Sequence, residues 1–307
     1  MTMPALPLEG LHPRRPLAAL LLSLALPGLG QLYNGELNKA LWLFLAFVLV
    51  GVPGITLVAL VMPSALMLAM LCLSVLVTLG IWLGAAFDAW RQARRRQIYS
   101  RAPWQISGVY ALVFLAAGAL LFPALIGGMR ERFVQSFYIP SGSMEPTLTA
   151  GDFLFADKRY NCPGCKSRVA IGDIGIFVYP NDRTVYYIKR VIGLPGDHVT
   201  IAGRAVTVNG VQLGKGETSE GERILVTEGS GEAHWQVAWR KDAPSAALDL
   251  IVPPGQIFLL GDNRDASTDS RKFGTVPLSD LIGKARQIWF SRGPEGVRWE
   301  RLGKVVE

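Results

Sequence analysis

Ser143 lies in the octapeptide Ser141-Gly142-Ser143-Met144-Glu145-Pro146-Thr147-Leu148, and Lys189 follows 46 residues later in Tyr187-Ile188-Lys189-Arg190. A serine hydroxyl becomes a nucleophile only when a neighbour takes its proton. Histidine is the commonest helper. Here, however, His12 precedes the apolar segments, His198 sits in a Pro-Gly-Asp-His turn and His234 lies in a weakly patterned polar stretch. Lysine can serve instead if burial disfavours its ammonium form, which lowers the pKa by as much as ~3–5 for a fully buried group. Lys189 has Val185, Tyr186, Tyr187 and Ile188 before it and Val191 and Ile192 after it. Strand alternation puts Tyr187, Lys189 and Val191 on one face and Ile188 and Arg190 on the other. The plain alternative is a solvated lysine at a strand end.

Pro140 and Pro146 bracket Ser141-Gly142-Ser143, and Gly142 tolerates dihedrals that other residues avoid. Such a turn can present one hydroxyl outward while backbone N–H groups and a second hydroxyl face the same point, as an oxyanion hole requires. Alternatively, it is a Ser/Gly/Pro linker. A third element runs Gly261-Asp262-Asn263-Arg264-Asp265-Ala266-Ser267-Thr268-Asp269-Ser270-Arg271. Its alternating carboxylates and guanidiniums can lock a loop through charge-assisted pairs, and Ser267 could orient a neutral amine. Most of these charges read as scaffold rather than reagents.

The elements that must position these residues fall into two regions. Residues 1–130 hold 20 uncharged residues between Arg15 and Glu36, 48 between Lys39 and Asp88, and 28 between Arg101 and Arg130. A bilayer crossing takes roughly 20 apolar residues. Spans are therefore expected at 40–61 and 64–87, with a turn near Pro63-Ser64, and at 106–128. The 16–33 segment is interrupted by Pro27-Gly28-Leu29-Gly30-Gln31 and reads as a broken or re-entrant span, not a cleavable signal peptide. Residues 1–130 carry a net charge of +6 and residues 131–307 only +1. The excess, chiefly Arg91, Arg94, Arg95, Arg96 and Arg101, marks a cytoplasmic loop over 88–101. The last span then delivers everything after it to the outside, while Arg14 and Arg15 favour an inside start. A near-neutral folded domain argues against nucleic-acid binding.

Residues 131–307 read as an antiparallel all-β domain. Short runs at 153–155, 174–178, 185–188, 198–201, 205–208, 257–260 and 287–290 are separated by Gly/Pro/Asn/Asp turns. Asn209-Gly210 is a hairpin turn. The polar 212–248 stretch is expected to be an inserted smaller subdomain or mobile excursion without a chemical role. Cys72 falls in a span and reads as a packing residue. Cys162-Pro163-Gly164-Cys165 leaves a structural turn (oxidised or not), a redox pair or half a metal site open. Zinc wants four ligands, and the three histidines are not at ligand spacing.

Together these residues resemble the type I signal peptidases, bacterial membrane serine proteases with a Ser/Lys dyad. Ser141–Leu148 resembles their nucleophile box, Gly172-Asp173-Ile174 a middle box, and Tyr187–Asp197 the lysine box. Gly261–Arg271, continuing through Phe273-Gly274 and Val276-Pro277, resembles the last. The resemblance implies Ser143 as nucleophile and Lys189 as general base. It implies an oxyanion hole from the Ser143 N–H and the Ser141 hydroxyl, with Ser267 orienting Lys189. Phe137, Ile139, Met144 and Ile188 would line shallow pockets for small side chains, and Arg190–Asp262 and Asp269–Arg271 would be structural ion pairs. No metal or cofactor is implied.

The implied activity is removal of N-terminal signal peptides from exported preproteins after an Ala-X-Ala-like site. The implied setting is a multi-pass protein of the bacterial cytoplasmic (inner) membrane with its catalytic domain outside, working with the lipid bilayer and the protein-export machinery. Phe133, Phe137 and Tyr138 are candidates for an apolar rim at the headgroups. The chain departs from the pattern at Gly175, at the Cys162/Cys165 pair and in its long leader, whose Pro27–Gly35 run resembles a separate small membrane module. Three alternatives differ in class: a repressor-type Ser/Lys autoprotease, a dedicated processing peptidase of a conjugation or secretion system, and an inactive membrane-anchored binding module. The first would carry a DNA-binding region in place of spans, and an intact Ser143, Lys189 and Ser267 weigh against the last.

Overall fold

The computed structural model describes residues 14–61, 64–95, 105–161, 168–242 and 247–306. Cys162, Cys165, His12, Pro63, Arg96 and Arg101 lie outside the described residues. The chain divides into two compact units, Met1–Arg130 and Glu131–Glu307.

The first unit is helical: α1 (Pro16–Ala25), α2 (Leu29–Tyr33), α3 (Leu37–Leu49), α4 (Ile55–Val61), α5 (Ser64–Arg95), α6 (Ser107–Leu115) and α7, which starts at Phe122 and ends at Arg132. π-Helical segments at Val50–Gly54 and Ala116–Leu121 carry α3 into α4 and α6 into α7. Among the described residues three stretches are long and apolar enough to cross a membrane, namely Leu37–Leu60, Leu66–Arg95 and Ser107–Arg132. At ten residues, α1 falls short of that length.

The chain breaks between α1 and α2 at Gly28, whose φ of +93° favours glycine and whose backbone lies against the Ala40 carbonyl. The loop expected over 88–101 is helix as far as Arg95. Asp88 does not end α5, because Gln31 Nε2 (3.1 Å), Lys39 Nζ (2.8 Å) and Gln92 Nε2 (3.1 Å) all donate to its carboxylate. Gln31 also reaches the Ala85 carbonyl at 2.7 Å, and Asn34 the Ala89 carbonyl at 2.8 Å. The polar residues of the Pro27–Gly35 run thus tie α2 to α5.

The second unit is mainly antiparallel β. Its strands are β1 (Val134–Tyr138), β2 (Asp152–Asp157), β3 (Ile174–Val178), β4 (Tyr186–Gly193), β5 (His198–Ala202), β6 (Ala205–Val208), β7 (Val211–Gln212), β8 (Gly214–Glu220), β9 (Arg223–Ser230), β10 (Ala233–Arg240), β11 (Ala247–Ile251), β12 (Gln256–Leu260), β13 (Val276–Pro277), β14 (Leu281–Gly293) and β15 (Gly296–Val297). A short helix, α8 (Ser270–Phe273), precedes β13. The main eight-stranded sheet runs β1-β2-β14-β3-β4-β12-β13, with β15 paired to β14. A four-stranded sheet runs β11-β5-β6-β7 and a three-stranded one β10-β9-β8. Asn209 and Gly210 turn β6 into β7 with φ of 52° and 79°, as a two-residue hairpin requires.

The described part of the 212–248 stretch is largely sheet, with β8, β9 and β10 covering Gly214–Glu220, Arg223–Ser230 and Ala233–Arg240, rather than a loose excursion. Alternation in His234-Trp235-Gln236-Val237-Ala238-Trp239 buries Trp235, Val237 and Trp239 against Val226 and the β5–β6 core. Burying such side chains contributes roughly 1.5–3 kcal/mol each. That is ample reason for a Gly-rich, polar-flanked segment to stay folded.

Candidate active site

Lys189 lies well inside β4, not at its end, and is 4% exposed. β3 pairs with β4 so that Gly175 stands opposite Lys189. Lys189 Nζ is 2.8 Å from Ser143 Oγ and 2.9 Å from the Ile188 carbonyl oxygen. The amine also lies 5.5 Å from the centre of the Tyr187 ring, on the same strand face. Burial pushes the Lys189 pKa down from 10.5 to about 8, against the partial restoring pull of the Asp269 and Asp262 charges. A lysine so placed is substantially neutral near pH 8 and can accept a proton from a hydroxyl it already touches.

Ser143 sits on the turn between β1 and β2. Asn263 pins this turn from outside, its backbone N–H donating to the Ser143 carbonyl (3.2 Å) and its Nδ2 to the Gly142 carbonyl (3.0 Å). From inside, Met144 and Leu148 are buried with Ile139, Leu154, Ile176 and Ile288. Ser141 Oγ lies 3.4 Å from Ser143 Oγ. Both hydroxyls line a cleft of about 850 Å³, together with Phe137, Tyr138 and Ile139 and with Val185–Ile188. Asn263, Ala266 and Thr268 line it as well. Met144 and Ile139 are nearly all core, and Phe137 and Ile188 are half-buried against the same cluster. All four belong to the lining of the cleft.

The loop after β12 carries the remaining expected residues. Arg190 and Asp262 form a fully buried bidentate pair, Nε–Oδ1 2.8 Å and Nη2–Oδ2 2.7 Å. The same guanidinium donates to the Gly172 carbonyl and stacks on Trp235 at 4.9 Å. Thr147 Oγ1 donates to Asp262 at 2.5 Å, which joins the Ser143 turn to the pair. Asp269 is held by Arg271 (2.8 and 2.7 Å) and by the Gly261 N–H (3.0 Å). Burial works to raise the Asp269 pKa, but the Arg271 hydrogen bond and charge hold it below the ordinary carboxylate value. Ser267 Oγ is buried and makes no hydrogen bond to Lys189; on this loop it helps hold the Asp269 carboxyl low. Gly261 is packed so tightly that a Cβ there would stand 2.2 Å from Ser267 Oγ and 2.6 Å from the Ser143 carbonyl oxygen.

Sequence reasoning missed the residue facing this loop from the 212–248 region, Glu228, which pairs with Arg264 at 2.6 Å with both side chains buried. The available signal was a lone acid in phase with Val226 in Ile224-Leu225-Val226-Thr227-Glu228, an inward position by strand alternation. Among the described residues no group of three or more His, Cys, Asp or Glu side chains converges.

Residues 110–290 match the model of the family described as signal peptidase, peptidase S26. The chain is 35% identical over 203 residues to a signal peptidase I from Pseudomonas fluorescens, an alignment covering 57% of this chain and 72% of that protein. It is 35% identical over 196 residues to a signal peptidase I from Rickettsia typhi, covering 53% and 74%. A crystal structure of a signal peptidase I from Enterococcus faecalis V583 covers 38% of this chain and 95% of its own, at 28% identity and a TM-score of 0.26. With more than half its length matched, the chain belongs to the peptidase S26 family of signal peptidases.

Proposed function

We propose that this signal peptidase removes N-terminal signal peptides from exported preproteins by a Ser/Lys mechanism. The single observation that carries the reading is the 2.8 Å contact between a buried lysine amine and the Ser143 hydroxyl. Neutral Lys189 takes the Ser143 proton as Oγ attacks the scissile carbonyl carbon. The Ser143 N–H and the Ser141 O–H stabilise the oxyanion. On collapse the C–N bond breaks, and the new amine leaves with the proton carried by Lys189. Water, deprotonated by the same amine, then hydrolyses the acyl-enzyme. Ser267 makes no hydrogen bond to Lys189, so its part here is packing on the Gly261 backbone beside Ser143.

The substrate lies extended in the cleft. β1 pairs only with β2 among the described strands, and Tyr186–Lys189 of β4 pairs only with β3. Each therefore offers a free edge, and an added peptide strand satisfies such an edge by main-chain hydrogen bonds. The apolar lining from Phe137, Ile139, Met144 and Ile188 favours small side chains, in keeping with an Ala-X-Ala context.

The apolar helices anchor the enzyme beside its membrane-bound substrate and raise their mutual effective concentration. We place the catalytic unit on the extracytoplasmic side of the bacterial inner membrane, because the Arg-rich end of α5 marks the cytoplasmic face. Exposed Phe133 and Tyr138 are suited to the headgroup region, and the export machinery is the natural source of substrate.

The test is cleavage of a purified preprotein by the wild type, Ser143→Ala and Lys189→Ala. Both variants are expected to fold and to lose activity, Lys189→Ala by about 10²–10⁴-fold at least. Near-wild-type activity of Lys189→Ala at neutral pH would remove the assigned base.

A further inference from the structure

The three-stranded sheet β8–β10 meets the catalytic loops at several points, among them Arg240 of β10, whose N–H donates to Asp265 at 2.6 Å. Arg223, at the start of β9, donates to Glu145 of the nucleophile turn at 3.1 Å. Ala238 of β10 bridges the loop after β12, its N–H donating to the Asp262 carbonyl (2.8 Å) and its carbonyl accepting from the Arg264 N–H (2.9 Å). Glu228 of β9 holds the Arg264 guanidinium at 2.6 Å and also accepts from Trp235 Nε1 at 3.0 Å.

Arg264 does not touch the cleft. Its Nε donates to the Gly261 carbonyl at 3.2 Å. The Gly261 N–H is held by Asp269, and the Gly261 backbone packs directly on Ser267 and on the Ser143 carbonyl. The next residue but one, Asn263, carries the two hydrogen bonds that fix Gly142 and Ser143. A continuous set of short contacts therefore links Glu228, through Arg264 and the 261–263 backbone, to the turn that presents the nucleophile. An exposed ion pair contributes little and tolerates motion. A buried charge whose partner is removed must find another or shift, and here the shift falls on the 261–263 backbone.

We infer that Glu228 is a positioning residue: through Arg264 it sets the 261–263 backbone against which the Ser143 turn is registered. The inference rests on Ser143 being the nucleophile. Its mechanical content is that a displacement at Gly261, which packs directly on the Ser143 carbonyl, reaches the Ser143 backbone, and a misplacement of reacting atoms by about 1 Å can cost about 10²-fold in rate.

The experiment uses the full-length enzyme in detergent with a purified Ala-X-Ala preprotein. It compares Glu228→Gln, which keeps the shape but not the charge, with Glu228→Leu combined with Arg264→Met, which replaces the pair by apolar groups. Buried pairs replaced in this way often regain stability, whereas the Arg264 Nε contact to Gly261 is not regained. The expected result is a fall in kcat of about tenfold or more in both, KM within twofold of wild type, and a cooperative melt in at least one. Glu217→Gln, on the exposed outer strand of the same sheet, is expected to leave kcat and KM unchanged. The inference is overturned if kcat survives in Glu228→Gln, if it returns with stability in the double variant, or if neither melts cooperatively, since the pair is then purely structural. Ser143→Ala run alongside separates the two claims: full activity there removes the nucleophile, while an inert Ser143→Ala beside an unimpaired Glu228→Gln removes only the positioning role.

Discussion

Gly175 stands directly opposite Lys189 in the ladder between β3 and β4. The position looks like a weak point in strand β3, because glycine packs nothing and costs conformational entropy. Here the missing side chain makes room for Leu281, whose Cδ1 would lie 2.6 Å from an added Cβ. Leu281 in turn is buried with Phe177, Val191 and Leu259, next to Tyr187, on the face that keeps Lys189 dry.

Gly175→Ala is therefore expected to cost about 1–3 kcal/mol of stability through overpacking. Because the clash falls on the end of a flexible side chain, the fold should survive. Chemical denaturation of the catalytic unit measures the cost. A neutral or stabilising result would contradict the close approach.

Ser141→Ala removes one of the two proposed oxyanion donors while leaving the Ser143 N–H in place. Loss of a single such donor costs about 10²–10³ in kcat where the donor is well aimed. The expected pattern is a large fall in kcat with little change in KM, read from preprotein cleavage under saturating substrate.

Gly261→Ala places a Cβ within 2.6 Å of the Ser143 carbonyl oxygen and 2.2 Å of Ser267 Oγ. Both neighbours belong to the site, and backbone cannot swing aside as a side-chain tip can. This single methyl should reduce kcat more than Gly175→Ala does, although both add the same group.

Acid should weaken the fold through two buried carboxyls. Burial works to raise Asp152, but Arg301, the Thr149 N–H and Ser291 hold it below 3.8. Asp269 is held low in the same sense by Arg271. Groups depressed by folding contribute stability that is complete above the unfolded value and lost as pH falls through the folded one. Thermal melts from pH 6 down to pH 2.5 should therefore drop steeply below about pH 4. Asp152→Asn should flatten that drop while lowering stability at pH 6, because it strands the Arg301 guanidinium.

The meeting of Ser143 and Lys189 was legible in the chain because its signals are local. Ser143 sits between two prolines beside a glycine, and Lys189 sits in an apolar run whose alternation already put it on the Tyr187 and Val191 face. Most strands were legible for the same reason, since Ile174–Val178 and Ala205–Val208 are bounded by turn residues at both ends. β9 and β10 were not, because their cores alternate with polar residues in a Gly-rich setting and are stabilised by Trp235 and Trp239 packing on distant strands. Only the inward phase of Glu228 could be read from the sequence, because its partner, Arg264, lies 36 residues away and reaches it only across the assembled sheet. The length of α5 was misjudged because Asp88 reads as an end of apolar sequence, whereas Lys39 and Gln31 neutralise it from another helix.

The state of the Lys189 amine is tested most directly by the pH dependence of kcat/KM for preprotein cleavage by the full-length enzyme, which reports the pKa of the free enzyme's base. With the folded value pushed down to about 8, activity should be half-maximal near pH 8 on its acid side and fall about tenfold per pH unit below that. A limb at the ordinary lysine value of 10.5, or a profile flat from pH 9 down to about pH 5, would mean that this amine is not the group that accepts the Ser143 proton.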